Sequence, residues 1–186
     1  MKRIMHFAVI SLFFASALPA ATLALVPSST TVMVGEMFTV DVNIEDVADL
    51  YAYQFDVGFD PALLNASSVT GGPFLATGGT TLFLAGLVNN SAGTVSSTAE
   101  SLISLVPGVS GDGTLAEMTF LAMGPGLATL TPFGVTLLDS SLGGIAATTP
   151  SVSVLVVATP EVASGSYAAA GLLMLTSMIT WGRRRR

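Results

Sequence analysis

From Phe38 to Asp60 the chain alternates apolar and polar side chains with a period of two. That pattern suits a β-strand with one buried face, because successive strand side chains point to opposite sides. Phe38, Val40, Val42 and Ile44 alternate with Thr39, Asp41, Asn43 and Glu45. Tyr51, Tyr53, Phe55, Val57 and Phe59 alternate with Ala52, Gln54, Asp56, Gly58 and Asp60. The acidic stretch Glu45-Asp46-Val47-Ala48-Asp49 lies between them as a loop.

Further strands are expected over residues 30–34, 64–70, 81–87, 94–101, 114–122, 128–138 and 151–157. Turn residues separate them: Gly71-Gly72-Pro73, Gly78-Gly79, Asn89-Asn90, Pro107-Gly108, Gly111-Asp112-Gly113 and Gly124-Pro125-Gly126. No stretch of the body carries a helical period, and Pro61-Ala62-Leu63-Leu64 suits a single turn after Asp60. About nine short strands at this spacing predict an all-β body, a β-sandwich or jelly roll, over residues 25–157.

Charge then narrows the chemistry. The six basic residues are Lys2, Arg3, Arg183, Arg184, Arg185 and Arg186, and the one histidine is His6. Eleven of the twelve acidic residues lie between Glu36 and Asp139, so the body is a polyanion with no Lys, Arg, His or Cys. Such a body cannot neutralise phosphates, which excludes nucleic acid. It has no thiolate or imidazole for a metal, no histidine base and no disulfide, so its stability must come from packing. Glycosidase chemistry needs two carboxylates flanking a substrate. Asp56, Asp60, Glu100, Asp112, Glu117 and Asp139 supply none that the sequence marks as a pair, and the chain is expected not to be an enzyme.

The two ends have another character. Met1-Lys2-Arg3, the apolar run Ile4 to Leu18 and the small residues up to Ala24 have the three parts of a secretory signal peptide, residues 1–24, with cleavage after Ala21 or Ala24. Residues 163–182 are uncharged and mostly apolar, enough for one transmembrane helix across a hydrocarbon core about 30 Å thick. The four arginines that follow place their end on the cytoplasmic side and the body outside, with Tyr167 and Trp181 near the two interfaces.

The order Pro160-Glu161, apolar span, Arg183 to Arg186 resembles the PEP-CTERM sorting signal, with Val162 where that family usually has a second proline. The resemblance implies a sorting segment over residues 158–186, processing by an exosortase at the inner membrane, and delivery to the envelope, surface or exopolysaccharide matrix of a Gram-negative bacterium.

Within the body, Val34-Gly35-Glu36-Met37-Phe38-Thr39-Val40, Asp49-Leu50-Tyr51-Ala52-Tyr53-Gln54-Phe55-Asp56, Phe59-Asp60-Pro61-Ala62-Leu63-Leu64 and Gly113-Thr114-Leu115-Ala116-Glu117-Met118-Thr119-Phe120 are similar to the cohesin domain. That resemblance implies a β-sandwich related to carbohydrate-binding modules and a scaffolding role. The implied partner is a separate dockerin-like protein, or else exopolysaccharide. The alternative is a carbohydrate-binding module taking part in polysaccharide binding or breakdown.

Three sets of candidate residues follow. Thr39, Asp41, Asn43, Gln54 and Asp56 are the outward set of the alternating stretch and the candidate binding face. Glu45, Asp46 and Asp49 are candidate ligands for Ca²⁺, which takes carboxylate and carbonyl oxygens. Tyr51 and Tyr53, the only tyrosines of the body, share the apolar face with Phe55 and are expected in the core rather than as a sugar-stacking platform.

Overall fold

The alternating stretch forms one strand of 22 residues, β3 (Met37–Gly58), and the remaining strands are arranged around it. The computed structural model describes residues 20–160. Ahead of β3 come β1 (Ala21–Pro27) and β2 (Thr31–Met33). After it come β4 (Leu64–Gly71), β5 (Thr81–Leu84), β6 (Leu87–Asn89), β7 (Thr94–Leu102), β8 (Val109–Ala122), β9 (Gly126–Asp139), β10 (Ala147–Thr148) and β11 (Val152–Val157). The only helix among the described residues is a 3-10 turn, Leu75–Gly78.

β3 belongs to both layers of a β-sandwich. Its first half pairs with β1 on one side and β8 on the other, and β4 closes the far side of β8. Its second half pairs with β7 and β9. β5 and β6 lie outside β7, and β11 then β2 extend the sheet beyond β9. The crossing from one layer to the other happens at Asp46 and Asp49, whose φ values are +54° and +58°. Short polar side chains tolerate this left-handed conformation better than others do. Here it lets Val47 and Leu50 both turn inward, a spacing of three where a flat strand allows two.

The acidic side chains around the crossing hold it in place. The Asp112 carboxylate accepts the Asp46 amide at 2.7 Å, and the Ser110 hydroxyl accepts the Asp49 amide at 2.9 Å. The Asp49 carboxylate in turn accepts the Gly108 amide at 2.8 Å, the Ser140 amide at 3.2 Å and the Ser140 hydroxyl at 2.6 Å. These bonds, led by the Ser140 hydroxyl, hold the Asp49 carboxyl below its usual range.

The core fills the space between the layers. Phe38, Val40, Val42 and Ile44 from the first half of β3 meet Tyr53, Phe55 and Val57 from the second, together with Leu115, Met118 and Phe120 of β8. Phe120 stacks on Phe38 at 5.9 Å between ring centroids and meets Phe59 edge-on at 5.4 Å.

The fold departs from sequence expectation in several places, beginning with the expected loop Glu45–Asp49, which lies inside β3. The body begins at Ala21 rather than 25, because Ala21 and Leu23 are buried in β1. The expected turn Gly111-Asp112-Gly113 lies inside β8, where Gly111 and Gly113 pair with Val47 and Ile44. The expected strand 81–87 breaks at Gly86, whose φ of +78° and close approach to the Ser96 carbonyl leave no room for a side chain. Tyr51 is half-buried, donating to the Ser104 carbonyl at 2.8 Å, whereas Tyr53 is buried as expected. The single turn after Asp60 is present, with the amides of Leu63 and Leu64 donating to the Asp60 carbonyl. No helix of the described residues is long and apolar enough to cross a membrane, and residues 163–182 lie outside them.

Candidate functional site

Because β3 changes layer, its outward residues cannot form one surface. Thr39, Asp41 and Asn43 face out from the first layer and Gln54 and Asp56 from the second, so the expected binding face is divided between opposite sides of the sandwich. On the first layer Asp41 sits directly opposite Glu117, and Asn43 accepts the Thr114 hydroxyl at 2.8 Å. Asp56 is committed elsewhere: its carboxylate accepts the Ser97 amide at 2.6 Å and holds the β7 bulge, where Ser97 has a φ of +60°.

Glu45, Asp46 and Asp49 are not brought together either. Among the described residues no group of three His, Cys, Asp or Glu side chains could hold a metal ion. Asp46 and Asp49 do border a hollow with Asp139 beside the start of β1. Yet the carboxylate of Asp49 is taken as above, and that of Asp139 accepts the Ser141 and Gly143 amides at 2.8 and 2.7 Å. These carboxylates shape loops. Of the sorting residues, Pro160 ends the described chain, and Glu161, Val162 and Arg183 to Arg186 lie outside it.

What the second layer does assemble is a trough across four strands whose outward side chains carry no charge, with Tyr53 and Glu100 in its floor. In register, Leu82 of β5, Ser101 of β7, Ala52 of β3 and Leu138 of β9 form one row. Leu84, Ala99, Gln54 and Thr136 form the next. Small side chains in the two middle strands leave a shallow cavity of about 290 Å³ between leucine walls. Leu82 and Leu84 are 58% and 56% exposed. An exposed apolar strip on a polyanionic body is the unusual feature here, since isolated surface leucines would be ordinary. Of this set, sequence reasoning picked out Gln54 alone. The signal it lacked was that the outward positions of two adjacent registers across the four strands, from Leu82 to Leu138 and from Leu84 to Thr136, carry no charge.

Directly beneath the trough, Tyr53 and Glu100 are opposite each other on β3 and β7 and are 3% and 4% exposed. The Tyr53 hydroxyl lies 2.9 Å from the Glu100 carboxylate and 2.5 Å from the Leu115 carbonyl of the facing layer, which ties the two layers together under the trough. Burial, then the charge of Glu100 and their hydrogen bond, raise the Tyr53 pKa well above the ordinary phenol range. A phenol whose folded pKa is raised contributes stability that is whole below its unfolded pKa of about 10 and is lost as pH climbs toward the folded value. Tyr53→Phe is therefore expected to cost about 1–3 kcal/mol near neutral pH, by leaving Glu100 buried without its phenol donor. The same variant should lose less stability than the parent between pH 10 and 12, as followed by urea unfolding. An unchanged alkaline slope would show that Tyr53 does not titrate on unfolding.

A family model described as the cohesin domain matches residues 23–156. The chain belongs to the cohesin family. Among solved structures, it is similar to a non-cellulosomal cohesin from the archaeon Archaeoglobus fulgidus, at 19% identity and a TM-score of 0.59, covering 75% of this chain and 92% of that one. It is also similar to the second type II cohesin module of an adaptor scaffoldin from Acetivibrio cellulolyticus, at 20% identity and a TM-score of 0.61, covering 73% and 96%. A third is the sixth cohesin of Acetivibrio cellulolyticus scaffoldin B in complex with a dockerin, at 18% identity and a TM-score of 0.57, covering 73% and 99%. At these identities the likeness establishes the fold. No curated protein matches the sequence significantly. This cohesin keeps the β-sandwich with a described body that contains no basic side chain.

Proposed function

We propose that this cohesin is an exported, non-catalytic docking module whose outer β5–β7–β3–β9 face receives a separate, dockerin-like protein. The observation that carries the reading is the trough of uncharged outward side chains, with Leu82, Leu84 and Leu138 as anchors around Ala52, Ala99 and Ser101. Interfaces are depleted of charge at their centre and polar at their rim, and this face sits on a polyanion. A partner with an apolar centre and basic side chains around it complements both features. One of the structurally similar cohesins is itself bound to a dockerin, which supports a protein occupant. The absence of Lys, Arg, His and Cys from the body, and the loop-holding work of Asp49, Asp56 and Asp139, support a role without catalysis.

Export rests on the sequence of the two ends. Residues 1–24 supply the signal peptide, with cleavage after Ala21 or Ala24. The tail 158–186 serves as the sorting segment read by an exosortase at the inner membrane, which leaves the body at the cell surface or in the exopolysaccharide matrix.

The test is calorimetric titration with dockerin modules encoded in the same genome. Binding is expected, and Leu84→Asp is expected to weaken it by about 30-fold or more, the loss of a central anchor. Asp41→Asn on the opposite layer is expected to leave it unchanged. Equal binding by Leu84→Asp would remove the trough from the interface. Retention of the body on insoluble polysaccharide, with no dockerin bound, would favour a carbohydrate-binding module instead.

A further inference from the structure

The end of the sandwich from which the chain leaves carries three exposed methionines. The turn joining β2 to β3 places Met33 and Met37 there, 49% and 57% exposed. The Gly35 amide of this turn donates to the Ala122 carbonyl at 2.8 Å, which brings Met123, 47% exposed, alongside. The Val34 amide donates to the Val157 carbonyl at 2.9 Å, and the Thr159 hydroxyl to the Val34 carbonyl at 3.0 Å. The departing chain is thus tied to the same turn.

Charge is distributed unevenly along the long axis. Among the described residues Glu36 and Asp60 are the acidic ones at the methionine end, and both carboxylates already accept backbone amides, from Met33 and Ala62. The opposite end holds Glu45, Asp46, Asp49, Asp112 and Asp139. Exposed apolar side chains occur there too, Leu105 and Leu142, but they adjoin Ser140, which is bonded to Asp49. Of the two ends, only the methionine end pairs apolar exposure with low charge.

Distance settles what can reach it. Two residues, Glu161 and Val162, separate Pro160 from the uncharged run 163–182. Two residues extend at most about 7 Å. If that run crosses a bilayer, as the proposed sorting segment requires, the methionine end is held at the lipid surface. Flexible thioether side chains can pack into an irregular apolar boundary there, and an anionic surface repels the acidic end.

We propose that the Met33–Met37–Met123 rim docks onto the lipid bilayer while the C-terminal segment remains in the membrane. The body then stands upright, its acidic end outward and its trough free at the side. The proposal rests on the reading of residues 163–182 as a membrane span, and the test separates the two. The chain has no cysteine, so single labels are unambiguous. Full-length protein with Met37→Cys, Met123→Cys or Ala48→Cys is labelled with a polarity-sensitive dye and reconstituted into vesicles of phosphatidylethanolamine and phosphatidylglycerol. Labels at 37 and 123 are expected to shift to the blue and lose most of their emission to headgroup spin-labelled lipid, while the label at 48 does neither. Adding Met33→Asp to the Met123→Cys chain is expected to restore much of the emission. If the chain floats with vesicles after an alkaline wash and all three labels behave alike, the docking is wrong and the span stands. If the chain does not float, the span reading falls and takes the proposal with it. A blue shift that follows protein concentration rather than lipid would assign the rim to a second copy and overturn the proposal.

Discussion

A body that begins at Leu25 is expected to unfold at much lower denaturant than one that begins at Ala21. The four residues between are more than half of β1. Thr22, Leu23 and Ala24 pair with Glu45, Ile44 and Asn43, and Ala21 and Thr22 pair in parallel with Ala147 and Thr148. Leu23 is fully buried and Ala21 nearly so. Losing the Leu23 side chain alone should cost about 2–5 kcal/mol, as leucine truncations in cores do. The lost pairing also exposes the edge of β3 beside Ile44 to water. Against a total of about 5–15 kcal/mol for a domain, the shorter body retains little margin. Urea unfolding of residues 21–160 and 25–160, followed by far-ultraviolet circular dichroism, measures the difference. Equal midpoints would mean that β1 begins at Leu25 in solution. The result also bears on export, since of the two cleavage points the ends suggest, the one after Ala24 cuts into the core while the one after Ala21 removes a single buried alanine.

The all-β class was legible because β3, β7, β8 and β9 each bury alternate side chains against a solvated opposite face, and period two survives any arrangement of the strands. The crossing of β3 between layers was far less legible. Its trace in the sequence is the break in alternation from Ile44 to Val47 to Leu50, inside a stretch whose aspartates suggested a metal loop. Asp46 and Asp49 satisfy backbone geometry and loop amides, a task that composition cannot distinguish from ligation. The slip also decided the site. Once β3 bends, Thr39 and Gln54 point to opposite sides, and the strands adjoining Gln54 supply the rest of the trough. Leu82 and Leu84 escaped notice because their strand is apolar on both faces, with Phe83 inward, so its pattern does not say which side faces water.

Phe120→Ala is expected to destabilise the body by about 3–5 kcal/mol without touching the trough. Phe120 is fully buried, and its ring bridges Phe38 of its own layer and Phe59 at the end of β3. The cavity it leaves lies between two sheets held by their own hydrogen bonds, which limits collapse around it. Nothing else in the body compensates. It has no cysteine for a disulfide, and with no Lys, Arg or His it can form no ion pair, so apolar packing carries nearly all its tertiary stability. The melting temperature is expected to fall by roughly 10 °C or more. Leu84→Asp is the converse case. Its side chain is more than half exposed, so stability should change by no more than about 0.5 kcal/mol, while docking is lost. Thermal unfolding and partner titration on both variants therefore separate the core that makes the sandwich from the face that uses it. A Phe120→Ala body that melts within a few degrees of the parent would show that the two layers do not depend on this aromatic cluster.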